Sequence, residues 1–444
     1  MKVTLINLGC PKNQKDGEVA LSSFLENGFS YTKNIKTADV IIVNTCSFID
    51  DAKKESISVI FECAEYKTKG KCSALIVTGC FPQRYKKEIK KELPEVDIFL
   101  GVSTYARAYE SFKKFEKSKK KIVRVDKPGY IHSDVTHLKL LHSKGYTPET
   151  FNYSAYVKVS EGCNNKCAYC TIPSIRGKLV YKTGGAVIDE IKYLTSAGVK
   201  EIVLIAQDIA ADKNYLKTLL KNISALPQKT RPAWVRLMYC NPWGVDSELI
   251  KIIKNEEWIV NYIDMPIQHI SDDVLKRMGR HSNSSHILDT LEKLKVAKIV
   301  VRSTLMTGFP GEGEKDFKAL RDLVSQGWFH WLGLFVYSPQ ENTPAALMKP
   351  RVPFEIGLER RNELDRIQFD ITNSFNEGYV GKTFQALVCG RCGKDTEARI
   401  FSQAPVVDGE VIIKGDVKGS FVDVTIDEAN GYDLVGRIIS PRRR

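Results

Sequence analysis

Residues 155–177 read AYVKVSEGCNNKCAYCTIPSIRG, and this stretch decides how the rest of the chain is parsed. AYVKVS is a short β-branched run of strand type. Directly behind it stand Cys163, Cys167 and Cys170, with three and then two residues between them. Sulfurs this close on one loop reach three corners of a single cubic iron–sulfur cluster, for which cysteine thiolates are the standard ligands. The loop supplies no fourth ligand, so one iron stays open to an outside molecule. Zinc is the alternative, but structural zinc takes four protein ligands, usually as two close pairs, and none follows at a suitable distance.

Toward the C-terminus the strand-like runs EIVLIAQ, WVRLMY, NYIDMPI, IVVRSTLMTG and WLGLFVYS alternate with helical patterns such as VIDEIKYLTSAG and GEGEKDFKALRDLVSQG. Six such βα units predict a (β/α)6 parallel barrel, complete or partly open, over residues 151–378. The cysteine loop then lies at the C-terminal strand ends, where these barrels place their chemistry. Gln207, Gln268, Arg302 and Thr304 fall on or after barrel strands and are candidate cofactor contacts. Gly308 opens GFPGE, whose amides could face a polar ligand or simply form a turn and helix start. PFEIGLERRNELDRIQFDITNSFNEGYVG has the pattern of one long charged helix. Beyond it, KTFQALVCG, TEARIFSQAP, DGEVIIKGD and SFVDVTIDEANGYDLVGRIIS predict a small five-stranded all-β barrel of OB-like type over residues 379–444.

Toward the N-terminus, residues 1–115 alternate VTLINLG, ADVIIVNT, ALIVTG and VDIFLG with helices expected from Asp16, Ile49 and Gln83. Short Val- and Ile-rich strands alternating with helices predict a doubly wound parallel sheet. Cys10, Cys46 and Cys80, 36 and 34 residues apart, each end one of these strands. Parallel strands finish on a common edge, where open α/β sheets bind ligands, so these three form a second candidate ligand set. The competing account is that cysteine simply packs well at a strand end. Packing is the expectation for Cys63, Cys72 and Cys240, while Cys389 and Cys392 form a CxxC with no second pair nearby. Residues 116–150 have the Pro, Gly and polar content of a linker, and His132, His137 and His142 within it are not expected to bind metal.

The 444 residues exceed what one core usually serves, so two or three domains are expected. No run is long and apolar enough for a membrane span, and LINLGCPKNQ lacks a signal-peptide pattern. Cytoplasmic residence is therefore expected, where thiols stay reduced and cysteine clusters favour metal or catalysis. The net charge of +13 concentrates in Lys113–Arg124 and in Arg442, Arg443 and Arg444. Such runs can attract nucleic acid or anionic ribosomal surface, or can be solvated faces.

LGCPKNQKDGE, VIIVNTCSFIDDAKKESI, VTGCFPQRY, VSEGCNNKCAYCTIPSIRG, IDMPIQHISDDVLKRMGR and GFPGEGEKDF together resemble the methylthiotransferases of the radical S-adenosylmethionine class. The resemblance spans nearly the whole chain: a methylthiotransferase N-terminal domain, a radical barrel and a C-terminal TRAM barrel. Pro11-Lys12-Asn13 and Tyr432-Asp433-Leu434 with Gly436 are similar to the RimO branch, which modifies an aspartate of small-subunit ribosomal protein S12. The resemblance implies two 4Fe–4S clusters. One is held by Cys10, Cys46 and Cys80, the other by Cys163, Cys167 and Cys170 with S-adenosylmethionine on its open iron. It also implies an electron donor such as a flavodoxin or ferredoxin, and a monomer is expected. Tyr181-Lys182-Thr183-Gly184-Gly185 and Ile209-Ala210-Ala211 depart from the usual pattern, as do Lys15 and Gly17.

The alternative within the family is a MiaB-like tRNA adenosine methylthiotransferase; outside it, a noncatalytic iron–sulfur carrier. A carrier needs neither open coordination sites nor a six-unit barrel. RNA binding needs a basic face. Residues 379–444 hold ten Lys and Arg against nine Asp and Glu, and without the last three arginines seven against nine. That balance favours a basic protein partner over RNA as the primary one.

Overall fold

Strands Val40–Thr45 and Ala74–Gly79 are buried at every position, the condition of parallel strands covered on both faces. They lie in the computed structural model, which describes residues 1–146 and 153–439, at the centre of a six-stranded parallel sheet. Its order is Ser30–Tyr31, Lys2–Asn7, Val40–Thr45, Ala74–Gly79, Ile98–Leu100, Ile122–Arg124. Side chains alternate faces with period two. Val40, Ile42, Ala74, Ile76, Ile98 and Leu100 pack with Phe24 and Phe112, from helices Pro11–Leu25 and Ala108–Ser118. Ile41, Val43, Leu75, Val77 and Phe99 pack on the other side with Ile60 and Cys63 of helix Asp50–Ala64. The order reverses between Lys2–Asn7 and Val40–Thr45, which makes the C-terminal ends of those two strands the switch point.

The segment expected to be a linker joins this domain. Ile122–Arg124 adds the sixth strand, pairing parallel with Ile98–Leu100. Helix Thr136–Ser143 buries Leu141 in the same core as Phe24. Expected residues 147–150 of the linker, and Arg442, Arg443 and Arg444, lie outside the described residues.

The second sheet holds six parallel strands in chain order: Ser154–Lys158, Glu201–Ile205, Trp234–Leu237, Ile259–Asp264, Val300–Thr307 and Trp331–Val336. It is a partial barrel, because the first and last strands do not pair. One set of alternate residues (Ile202, Leu204, Val235, Leu237, Ile263) faces the surrounding helices. The other set (Tyr156, Val203, Ile205, Trp234, Tyr262, Val300) packs against Leu387 and Ala404 of the C-terminal domain. That domain is a closed barrel ordered Thr383–Cys392, Asp395–Arg399, Val411–Ile413, Asp433–Ile438, Phe421–Asn430. It is reached through helix Phe354–Glu377. Buried charge fastens it to the partial barrel. Glu201 accepts from Arg236 (2.8 Å) and from Arg399 of the small barrel (2.5 Å). No helix among the described residues is long and apolar enough to cross a membrane.

Candidate active site between two sheets

Cys10 caps the helix Pro11–Leu25, its carbonyl accepting from the Asn13 and Gln14 amides at 2.8 and 3.0 Å. The helix therefore begins five residues before the expected Asp16, because Pro11 suits a first helical position. Cys46 follows Val40–Thr45 and is pinned through Ser56, which bonds both its amide (3.2 Å) and its carbonyl (2.9 Å). Cys80 opens the helix Cys80–Arg84 behind Gly79, whose φ is +98°. A Cβ on Gly79 would stand 2.6 Å from the Thr45 carbonyl oxygen, so only glycine lets these two strand ends lie this close. Asn13 ties the edge together, donating to the Thr45 carbonyl (2.7 Å), while Asn44 donates to the Asn13 carbonyl (2.6 Å).

Cys46 feels the charge of Cys10, and Cys80 that of both. Burial pushes the Cys80 thiol up to about 12, with the Arg176 guanidinium pulling the other way. Burial likewise raises Cys46, while Cys10 is exposed. The structure thus gathers Cys10, Cys46 and Cys80 on one edge, at the switch point and the strand beside it.

The compact triad sits past the first barrel strand. Gly162 turns the chain at φ +78°, where a Cβ would meet the Lys178 carbonyl oxygen at 2.3 Å. The loop is laced to its exit, with the Cys163 amide donating to the Gly177 carbonyl at 3.1 Å. Each sulfur faces a donor. The Asn165 amide lies 3.4 Å from Cys163 Sγ, the Ile172 amide 3.4 Å from Cys170 Sγ, and Arg280 Nη1 3.7 Å from Cys167 Sγ. Burial pushes the Cys170 thiol up to about 12 and raises Cys163. As free thiols they hold their protons; bound iron would displace them, because metal binding and deprotonation are linked.

Whether these residues fit clusters is a question of donor chemistry. Thiolate ligands of clusters characteristically receive N–H donors at sulfur, which tune charge and potential. Five of the six sulfurs have one: Cys163, Cys167, Cys170, Cys80 from Arg176 at 3.2 Å, and Cys46 from the Phe48 and Ser47 backbone. Among the described residues no three His, Cys, Asp or Glu side chains converge on one ion. Thiolates on a cube occupy separate corners and need not converge. The donor set fits.

A buried polar network joins the two sheets. Lys158 bonds Asp16 and Glu161 (2.8 Å to the latter). Arg176 bonds Asp16 (2.5 Å), Glu161 (3.0 Å) and Asn13 (3.1 Å). Burial works against ionising Glu161, but Arg176 and Lys158 outweigh it and hold its carboxyl down at about 2. On the far side of the mouth, Ser338 donates to Asp50 (3.0 Å) and Arg84 to Gln340 (3.0 Å). The edge carrying Cys10, Cys46 and Cys80 is therefore clamped to the mouth carrying Cys163, Cys167 and Cys170.

The candidate cofactor contacts fall out differently. Gln207 donates to Glu161 (2.6 Å), and its buried Oε1 has no hydrogen-bond partner. Gln268 adopts φ +74° and bridges to the next strand, its amide on the Thr304 carbonyl and its carbonyl on the Met306 amide, both 2.8 Å. A strained non-glycine backbone of this kind persists where surroundings over-determine it. Arg302 is engaged by Asp264 at 3.4 Å and by Asp408 of the small barrel at 3.2 Å; the latter is a charge contact without hydrogen-bond alignment. Thr304 is half-buried beside it. Gly308, at φ +72°, makes room for the long helix: a Cβ there would stand 3.1 Å from the Gly357 Cα. Arg176 and Arg280 were not singled out from sequence, although both lie in the stretches that carry the resemblance. Cys63, Cys72, Cys240 and Cys389 are buried, and Cys392 is exposed.

Residues 157–324 match the Radical SAM superfamily and residues 380–439 the TRAM domain, while residues 2–101 match the uncharacterized protein family UPF0004. The chain is a radical S-adenosylmethionine enzyme. It shares its fold with the radical S-adenosylmethionine methyltransferase TsrM from Kitasatospora setae, at TM-score 0.56 and 13% identity over 78% of this chain and 77% of that one. The chain is 41% identical to the ribosomal protein uS12 methylthiotransferase RimO of Acetivibrio thermocellus, over 99% of this chain and 98% of that protein. It is 40% identical to the RimO of Clostridium acetobutylicum, over 98% of each. It belongs to the RimO methylthiotransferase family.

Proposed function

We propose that this enzyme attaches a methylthio group to the β-carbon of an aspartate in small-subunit ribosomal protein S12, using two S-adenosylmethionine molecules and two 4Fe–4S clusters. Cys163, Cys167 and Cys170 hold the cluster that binds S-adenosylmethionine; Cys10, Cys46 and Cys80 hold the auxiliary one. When bound, the first supplies reductive cleavage of S-adenosylmethionine to a carbon radical, chemistry that belongs to the cofactor. The chain's own residues position and enclose. Asp16, Lys158, Glu161 and Arg176 fix one sheet edge against the other. Gln207, Gln268, Arg302 and Thr304 are the contacts we assign to S-adenosylmethionine, with Gln207 Oε1 as the acceptor still unused. The backbone at Gly308 adds a turn at the same mouth.

The observation that carries this reading is that both triads sit at C-terminal strand ends, joined by one buried network. A carrier of electrons has no use for two three-cysteine sets on two sheet edges joined by one buried network. The small barrel favours a protein substrate: its surface arginines Arg391 and Arg437 are paired with Asp416 and Asp427, and its ten Lys and Arg are nearly matched by nine Asp and Glu. A flavodoxin or ferredoxin is the class of reductant we assign. Mass spectrometry of S12 and of tRNA, from cells with and without the gene, tests the assignment. A methylthio increment on S12 that disappears with the gene is expected. An increment lost only from tRNA adenosine would overturn it and favour the MiaB-like alternative.

A further inference from the structure

One short helix touches a cysteine of each triad. Helix Ile172–Arg176 has five residues. At its start the Ile172 amide donates to Cys170 Sγ (3.4 Å), and at its end Arg176 Nη2 donates to Cys80 Sγ (3.2 Å). Between them Ile175 packs with Cys80 and Val102 in a small buried group. Its exit is fixed as well, since the Gly177 carbonyl accepts from the Cys163 amide at 3.1 Å.

Arg176 is 1% exposed, and its partners are all buried. Two cations, Lys158 and Arg176, face two carboxylates, Asp16 and Glu161, so the group is neutral before any sulfur is counted. The guanidinium therefore does not need Cys80 as its counter-charge. Its rigid fork lets one nitrogen serve the carboxylates while the other reaches Asn13 and Cys80, a division that a lysine's single ammonium cannot reproduce. Donation to a thiolate ligand disperses negative charge from the cluster and raises its potential. A network with every member bonded also holds one geometry.

We propose that helix Ile172–Arg176 is a strut that fixes the spacing of the two clusters, with Arg176 as the positioning residue for the Cys80 thiolate. The inference rests on the six-cysteine assignment given above. A chain carrying C163A, C167A and C170A isolates the auxiliary cluster for measurement. With 15N-labelled arginine, pulsed EPR of its reduced cluster should show a nitrogen coupling. R176K should abolish that coupling and move the cluster to a lower potential, with R176Q doing the same. R176K keeps a cation against Asp16 and Glu161, so it separates loss of the sulfur contact from loss of the buried charge, which R176Q removes as well. In the chain with all six cysteines, R176K should broaden the cluster-to-cluster distance distribution. No nitrogen coupling while Arg176 is present, or an unchanged potential in R176K, overturns the strut. Failure of the C163A/C167A/C170A chain to take up any cluster overturns the cysteine assignment itself, and the strut with it.

Discussion

Replacing Glu201 by Gln is expected to loosen the small barrel from the partial barrel. Glu201 is 0% exposed and holds two guanidinium groups, Arg236 and Arg399, besides Ser154 Oγ at 2.7 Å. Burial opposes its charge, yet Arg399 and Arg236 bring its pKa from 4.5 down to about 2. At 1.36 kcal/mol per pKa step, that displacement is worth about 3 kcal/mol of folded-state stability. An independent route agrees: removing one partner of a buried pair costs about 3–5 kcal/mol, because the other charge is left uncompensated. The sign follows from proton binding. Below pH 4.5 the unfolded carboxylate takes up a proton while the folded one stays ionised to about pH 2. The contribution is thus complete above pH 4.5 and is lost as pH falls toward 2. Trp234, edge-on to Phe421 at 5.1 Å, and Trp331, donating to the Ser402 carbonyl at 2.5 Å, lie in the interface and report its opening. Urea titrations followed by tryptophan fluorescence should show E201Q weaker by about 3 kcal/mol at pH 7, with a flatter acid limb. A loss under about 1 kcal/mol, the range of exposed pairs, refutes the reasoning.

Replacing Cys163, Cys167 and Cys170 by Ala should abolish reductive cleavage of S-adenosylmethionine and leave one cluster's iron. Replacing Cys10, Cys46 and Cys80 should spare cleavage and end methylthio transfer; iron analysis and chromatography of 5′-deoxyadenosine check both. R280Q removes the donor 3.7 Å from Cys167 Sγ and the anchor on the Pro266 carbonyl, and cleavage should fall by about 10–100-fold. G79A forces a side chain to within 2.6 Å of the Thr45 carbonyl oxygen and should cost about 1–3 kcal/mol in denaturant titrations, with loss of auxiliary iron. Burial brings His330, stacked on Phe375 at 4.0 Å, from 6.5 down to about 4. The unfolded state then binds its proton first, so stability falls between pH 6.5 and 4, and H330Q should flatten that limb in pH-dependent melting.

The fold was legible where chemistry is local. Val- and Ile-rich strands between helical periods announced both parallel sheets, and the turn-rich tail announced the five-stranded barrel. Segment 116–150 was not, because Ile122–Arg124 has only three residues behind a run of lysines, too few to show a period. It is a strand through its pairing with Ile98–Leu100, a tertiary cause. The site divides the same way. Six cysteines were visible from spacing and strand ends. Arg176 was not, because its sulfur partner lies 96 residues away.

The same tertiary cause governs the charged residues of the barrel strands. Lys158, Glu201, Arg236 and Arg302 sit in strands where alternation assigns a polar side chain to solvent, yet two other domains occupy that side. Lys158 meets Asp16 from 142 residues away, and Glu201 meets Arg399 from 198. Arg302, a candidate contact for S-adenosylmethionine from its strand position, spends part of its charge on Asp264 and Asp408. Hydrophobic burial alone would dock these domains in several nearby registers, because apolar area is indifferent to direction. Buried ion pairs add little net stability over apolar replacements, but each wrong register leaves a charge unpaired at a cost of several kcal/mol. Two cysteine triads carried by different domains keep one separation only in one register. Charges accordingly stand at both junctions, Lys158 and Arg176 against Asp16 at one and Arg399 against Glu201 at the other.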